Sequence, residues 1–180
     1  MAYLGLDLGT SGLRVLLMGE DGAPIGAVER HYQVQTPAFG WSEQDPADWI
    51  KALESAVCEL RETFAAFAGV KGIGVAGHMH GATLLDSDDR VIRPCILWND
   101  TRSHREAAEL DGTAHVRAVS GNIVFPGFTA PKLAWVRTNE PEAFARVAKV
   151  LLPAAYLNLY LTGEHVADMS DSAGTSWLDV

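Results

Sequence analysis

Apolar residues open the chain in two alternating runs, "YLGLDLG" at 3–9 and "GLRVLLM" at 12–18, on either side of "TS". Period-two patterning across a Gly and hydroxyl turn predicts two paired strands. "GEDGAPIG" closes the second, and a looser third strand is expected over 24–34. A three-strand meander is not how a doubly wound dinucleotide-binding fold begins.

The pattern then changes period. In "SEQDPADWIKALESAVCELRETFAAFAG", Trp49, Leu53, Ala56, Val57, Leu60, Phe64 and Phe67 recur at three- and four-residue steps, which predicts one amphipathic helix ended by Gly69. Asp45 suits its N-cap, Pro46 the first helical position, and Asp48 the positive end. "VKGIGVAG" reads as a strand, and "ATLLD", "SDD" and "RVIRPCILW" as a further hairpin. Helices are expected in "TRSHREAAEL", in "APKLAWVRTNEPEAF" with a break before Pro141, and from Pro153 to Gly163 after a short strand. The order predicts an α/β fold, a mixed sheet with helices on both faces and polar motifs at strand ends.

Composition narrows the partners. At 180 residues the chain suffices for one good core, and 48% apolar with 21% charged residues is an ordinary globular balance. Lys+Arg 14 against Asp+Glu 23 gives a net charge of −9, which argues against nucleic acid or an anionic membrane as partner. No basic leader and no long apolar run appears, so a cytoplasmic address is expected. Cys58 and Cys95 are far apart and suggest neither a disulfide framework nor a metal site.

Four segments can carry chemistry. In "DLGTSG" (7–12) the backbone N–H groups and hydroxyls around Gly9, Thr10 and Ser11 suit phosphate oxygens, although the loop lacks the lysine and following helix of a Walker motif. Asp7 would repel a phosphate unless a divalent cation lay between; alternatively it is a hydrogen-bond acceptor of a plain glycine turn. In "GHMHGA" (77–82), His78 and His80 lack a nearby third ligand for a metal, so a histidine bonding a hydroxylated substrate stands against a satisfied structural one. In "LWNDTR" (97–102), Asp100 suits a helix N-cap and Trp98 a core position. The other reading makes Trp98 a wall for the apolar face of a sugar, with Asp100 and Arg102 supplying hydrogen bonds. In "ADMSDSAGTSW", Asp168 and Asp171 read as an Asx-type turn before catalytic carboxylates.

Taken in order, "GLDLGTSGLRVLL", "GWSEQDPADW", "GVAGHMHGATLLD", "ILWNDTR", "PGFTAPKLAWV", "VLLPAAYLNLYLTG" and "DMSDSAGTSWLDV" resemble the N-terminal domain of the FGGY carbohydrate kinases over essentially the whole chain. The segment 127–139 is similar to a family signature, with Lys132 and Trp135 at its marked positions. The resemblance implies an actin-like ATPase (ribonuclease H-like) fold of two lobes, of which residues 1–180 are the N-terminal one. It implies ATP and Mg²⁺ as cofactors and transfer of the γ-phosphoryl group to O5 of D-xylulose, and it admits a homodimer. Asp7 would assist the metal and phosphate, Gly9, Thr10 and Ser11 would lie on the phosphate loop, and Met79, His80 and Trp98 would contact the sugar.

Two departures stand out. The family usually has Gln where this chain has His78, and its general-base aspartate, in a Gly-Asp-Asn segment of the C-terminal lobe, has no counterpart here. The 180 residues alone are therefore expected to be inactive. Ribulose, glycerol or gluconate are alternative substrates, and a non-catalytic actin-like nucleotide-binding scaffold is the alternative class.

Overall fold

The computed structural model describes residues 1–180. In chain order it forms strands β1 (Ala2–Leu8), β2 (Gly12–Gly19), β3 (Pro24–His31) and β4 (Glu43–Gln44), then helix α1 (Pro46–Thr63). Strands β5 (Val70–Gly77), β6 (Thr83–Leu85) and β7 (Cys95–Ile96) follow. Next come helices α2 (His104–Asp111), α3 (Ala114–Ser120), α4 (Thr129–Asn139) and α5 (Pro141–Phe144). Strand β8 (Lys149–Leu151) and helices α6 (Pro153–Thr162) and α7 (Met169–Ala173) complete the chain. Two compact units emerge, one from Met1–Val34 with Ala47–His78 and the other from Gln35–Pro46 with Met79–Val180.

The first unit is built on a four-stranded mixed sheet in the order β3-β2-β1-β5, antiparallel except for the parallel pair β1–β5. The expected meander is therefore present. Period-two alternation buries Leu4, Leu6, Leu8, Leu13, Val15, Leu17 and Val28, and register pairs Leu4 with Leu17, Leu6 with Val15 and Leu8 with Leu13. Asp7 falls on the opposite parity, paired with Arg14. Helix α1 buries Trp49, Leu53, Ala56 and Leu60 of the predicted stripe together with Ala52, while Val57 is only half-buried. Its first residue is Pro46, where the missing N–H leaves no helical bond unmade.

That helix stops at Thr63 rather than running to Gly69; a 3₁₀ turn (Ala65–Gly69) takes over. The reason lies in packing. Phe64 turns extended and lays its ring on Gly26, where an added Cβ would sit 2.4 Å from the ring. Arg30 of β3 reaches α1, donating to Ser55 Oγ at 2.9 Å and pairing with Glu59.

The second unit holds two small sheets, β4–β7 and β6–β8. The hairpin expected from 82–98 forms as isolated bridges, Leu85 to Val91 at its tip, where Ile92 N–H donates to the Leu84 carbonyl at 2.9 Å, and Ala82 to Ile96 at its base, where Ala82 N–H donates to the Ile96 carbonyl at 3.0 Å. Pro94 has no N–H for a ladder, and beyond it β7 pairs with β4 while β6 takes β8 as partner. The core gathers Ala82, Leu84, Ile96 and Val136, packed by Leu133, Trp135 and Phe144. A second cluster joins Leu85, Leu151 and Ala155. The helical break before Pro141 and the glycine stop at Gly163, in the left-handed region at φ 75°, are as expected. Helix α3 is an element that the hydrophobic pattern gives no sign of. No helix is long and apolar enough to cross a membrane.

Candidate active site

At the end of β1 the chain reverses through Gly9–Gly12. Gly9 N–H donates to the Gly12 carbonyl at 2.9 Å, so this amide serves the turn itself. Neither glycine adopts a positive φ, nor do Thr10 and Ser11. Close approach is what requires Gly12: a Cβ there would lie 2.7 Å from the Arg30 carbonyl oxygen on β3. The Tyr32 hydroxyl donates to the Gly9 carbonyl at 2.6 Å. Burial, and secondarily the charge of Asp7, raise the Tyr32 phenol well above its usual range, so it remains a donor.

Asp7 is exposed, as is Ser11. The carboxylate borders an open cleft of about 770 Å³ whose walls include Gly5, Arg14, Gly74 and Ala76. No group of three His, Cys, Asp or Glu side chains is arranged to hold a metal ion. A divalent cation beside Asp7 therefore has one carboxylate and the turn hydroxyls to draw on, a donor set that fits Mg²⁺ completed by water and phosphate oxygens. His78, just after β5, is buried, donates its backbone N–H to the Leu8 carbonyl at 2.8 Å, and its ring meets Trp49 edge-on at 5.4 Å. Its ring is a packing element of the first unit.

The second unit carries the other candidate residues. Met79 is 47% exposed and Trp98 43%, so neither is a core side chain. His80 adopts φ 63°, a left-handed conformation that a side-chain-bearing residue rarely takes. Its ring lies 4.6 Å from Phe128 and directly on Gly174, where a Cβ would come within 2.2 Å of the imidazole. Burial first, and then the positive Lys132, lower the His80 pKa, with the Gly174 backbone acting in opposition. Near neutrality the ring is uncharged.

Asp100 and Arg102 have a different role from the sugar contacts that sequence suggested. Asp100 is fully buried; it accepts from Ser42 N–H at 2.6 Å, from Arg102 N–H at 2.9 Å and from the Arg102 guanidinium at 2.6–3.0 Å. Arg102 also donates to Glu43 at 2.6 Å, and Arg93 pairs with both Glu43 and Glu140. The guanidinium lies 3.8 Å from the centre of Trp41 and 5.1 Å from that of Trp135. Every polar edge of Asp100 is thus directed inward, and neither is it the N-cap of α2, where Ser103 stands. Ser103 gives its hydroxyl to the Pro126 carbonyl at 3.0 Å.

Asp168 caps α7, accepting from Asp171 N–H at 2.9 Å, the Asx-type arrangement expected. Burial and Asp168 raise the Asp171 pKa. Residues that the spacing of motifs did not single out complete the region: Glu43, Trp41, Phe128 and Gly174. A Glu in a two-residue strand and a Gly near the carboxyl end carry no local signal; only long-range contact gives them meaning.

Residues 2–180 match the sequence profile of the FGGY family of carbohydrate kinases, N-terminal domain. The chain is 50% identical over 179 residues to the xylulose kinase of Escherichia coli (strain K12), covering 99% of this chain and 37% of that protein. A crystal structure described as a xyloylose kinase from Brucella ovis superposes with a TM-score of 0.97 at 63% identity, over 99% of this chain and 38% of that one. The xylulose kinase from Rhodospirillum rubrum gives 0.94 at 30% identity, over 100% of this chain and 38% of that one. The chain spans little more than a third of the length of these relatives. Its fold is the actin-like ATPase fold of those kinases, as the resemblance implied.

Proposed function

The chain belongs to the FGGY family of carbohydrate kinases, and from that premise we propose that it is the N-terminal lobe of an ATP-dependent kinase that phosphorylates O5 of D-xylulose. Its similarity to xylulose kinases along 99% of its length carries the substrate reading. A cytoplasmic setting without a nucleic-acid or membrane partner accords with this reading, which admits a homodimer.

In this reading the exposed Asp7 carboxylate would help to hold Mg²⁺, and the hydroxyls of Thr10 and Ser11 would donate to phosphate oxygens. Gly9 acts by closing the turn that presents those hydroxyls. The metal, when bound, neutralises charge that develops on the transferred group. On the sugar side, Met79 packs against the carbon skeleton and the uncharged His80 imidazole hydrogen-bonds a hydroxyl. Trp98 covers the apolar face of the sugar. The aspartate that accepts the O5 proton is expected beyond these 180 residues, so they alone give negligible turnover.

The test is sugar-dependent ADP release by the full-length protein with D-xylulose, ribulose, glycerol and gluconate. A kcat/KM for xylulose at least about tenfold above the others is expected. A different polyol in first place overturns the substrate. Absence of release with any sugar overturns the kinase reading.

A further inference from the structure

After Trp49, Lys132 is the largest fully buried side chain, yet none of the roles above uses it. Its ammonium donates to the His80 carbonyl at 2.8 Å and to the Gly127 carbonyl at 2.6 Å. These oxygens belong to separate loops, 52 and 5 positions away along the chain. We propose that Lys132 is the positioning residue of the sugar site, fixing the turn that carries Met79 and His80 and registering it against the turn beneath Trp98. The inference rests on the sugar-kinase reading of these loops.

Three observations support it. First, the left-handed His80 backbone is a conformation that surroundings must impose. Its carbonyl is held by Lys132 and, at 3.2 Å, by the Thr129 hydroxyl, while Gly81 N–H closes the turn onto the Met79 carbonyl at 2.8 Å. Second, Gly127 passes against the Trp98 backbone so closely that a Cβ would lie 2.4 Å from the Trp98 carbonyl oxygen. Holding Gly127 thus sets the seat of Trp98. Third, an apolar side chain would fill the same space without desolvating a charge, but it has no hydrogen to give either carbonyl.

The charge itself is dispensable for this task. Burial, with Arg102 acting in the same direction and Cys95 and Asp100 opposing, pushes the Lys132 pKa down to about 7. A neutral amine retains two N–H donors, one for each carbonyl, so the clamp persists in both protonation states.

The experiment uses the full-length protein and two variants, Lys132→Met and Thr129→Val. Thr129→Val removes the second donor to His80 at almost constant volume and decides the matter should Lys132→Met fail to fold. Expected are rises in xylulose KM of about tenfold for Lys132→Met and about threefold for Thr129→Val, with ATP KM within about twofold of wild type. Circular dichroism and thermal melting verify the folded state. A xylulose KM within about twofold of wild type in every folded variant overturns the inference, as does an equal rise in both KM values. Wild-type protein without xylulose-dependent ADP release removes the underlying reading and this inference with it; active wild type with unmoved variants removes the inference alone.

Discussion

The turn beyond Asp7 is fixed by neighbours in its own meander: ladder bonds between β1 and β2, the Gly9–Gly12 closure and the nearby Tyr32. The loops bearing Met79, His80 and Trp98 are fixed by partners far along the chain. Lys132 reaches His80 across 52 positions, Asp100 reaches Ser42 across 58, and Arg102 reaches Glu43 across 59. The first region has its carboxylate facing solvent on a rigid sheet. The second has its charges buried, while Met79, Trp98 and the neighbouring Asn99 are exposed and His80 is partly so. The contrast is one of exposure: Asp7 faces solvent and is free to serve the chemistry proposed for it, whereas Asp100 is buried and spent on internal partners.

Substitution of the two acids' surroundings tests this division most severely. Asp7→Ala is expected to lower sugar-dependent ADP release by the full-length protein about a thousandfold while the thermal midpoint stays within a few degrees. A collapse in melting temperature would instead make Asp7 a turn residue. Arg102→Met should do the reverse in its own region. It strands Asp100 as a buried carboxylate without a counter-charge and leaves Glu43 to Arg93 alone, a loss of about 3–5 kcal/mol measurable by urea unfolding. A loss below about 1 kcal/mol would place this network with ordinary surface pairs.

A pH titration sharpens the buried side further. Lys132 has a pKa of about 7 in the folded protein against an ordinary 10.5, so between those values the unfolded chain binds the extra proton. Stability should therefore rise with pH from about 7 to about 9, and Lys132→Met should remove that rise. Of the groups facing Lys132 (His80, Cys95, Asp100 and Arg102), Cys95 acts in the opposite sense above its ordinary 9: burial lifts the folded thiol to about 11, so there the unfolded chain releases a proton that the folded protein keeps. A rise unchanged in Lys132→Met would assign it to another group. The smallest effect is expected at the exposed ring: Trp98→Ala should weaken xylulose binding by about 1 kcal/mol, read by isothermal titration, with stability unmoved. Lost stability there would make Trp98 a packing residue.

Much of the fold was legible because it is written locally. Alternation gave β1 and β2, three- and four-residue steps gave α1, and Pro46, Pro141 and Gly163 marked their boundaries. Where the reading failed, a distant residue had intervened. Phe64 left the helix to cover Gly26, and the two arms of the 82–98 hairpin meet only through isolated bridges because β6 ladders with β8 and β7 with β4. Asp100 and Arg102 looked like candidate sugar ligands in "LWNDTR" until Glu43 and Ser42 were seen to occupy their polar edges.

Sequence by itself thus determined the opening meander, the helical stripes, the exposure of Asp7 on the polar parity of β1, and membership of the kinase family. Each depends on the identity of residues within a few positions or on the whole ordered set of motifs. Tertiary structure alone decided which polar groups were spent internally. A buried carboxylate or lysine must find partners wherever the chain brings them, and spacing in the sequence does not encode that meeting. Hence the outward parity of Asp7 follows from its strand, whereas the contacts of Lys132 became visible only when His80 and Gly127 were seen at either side of its amine.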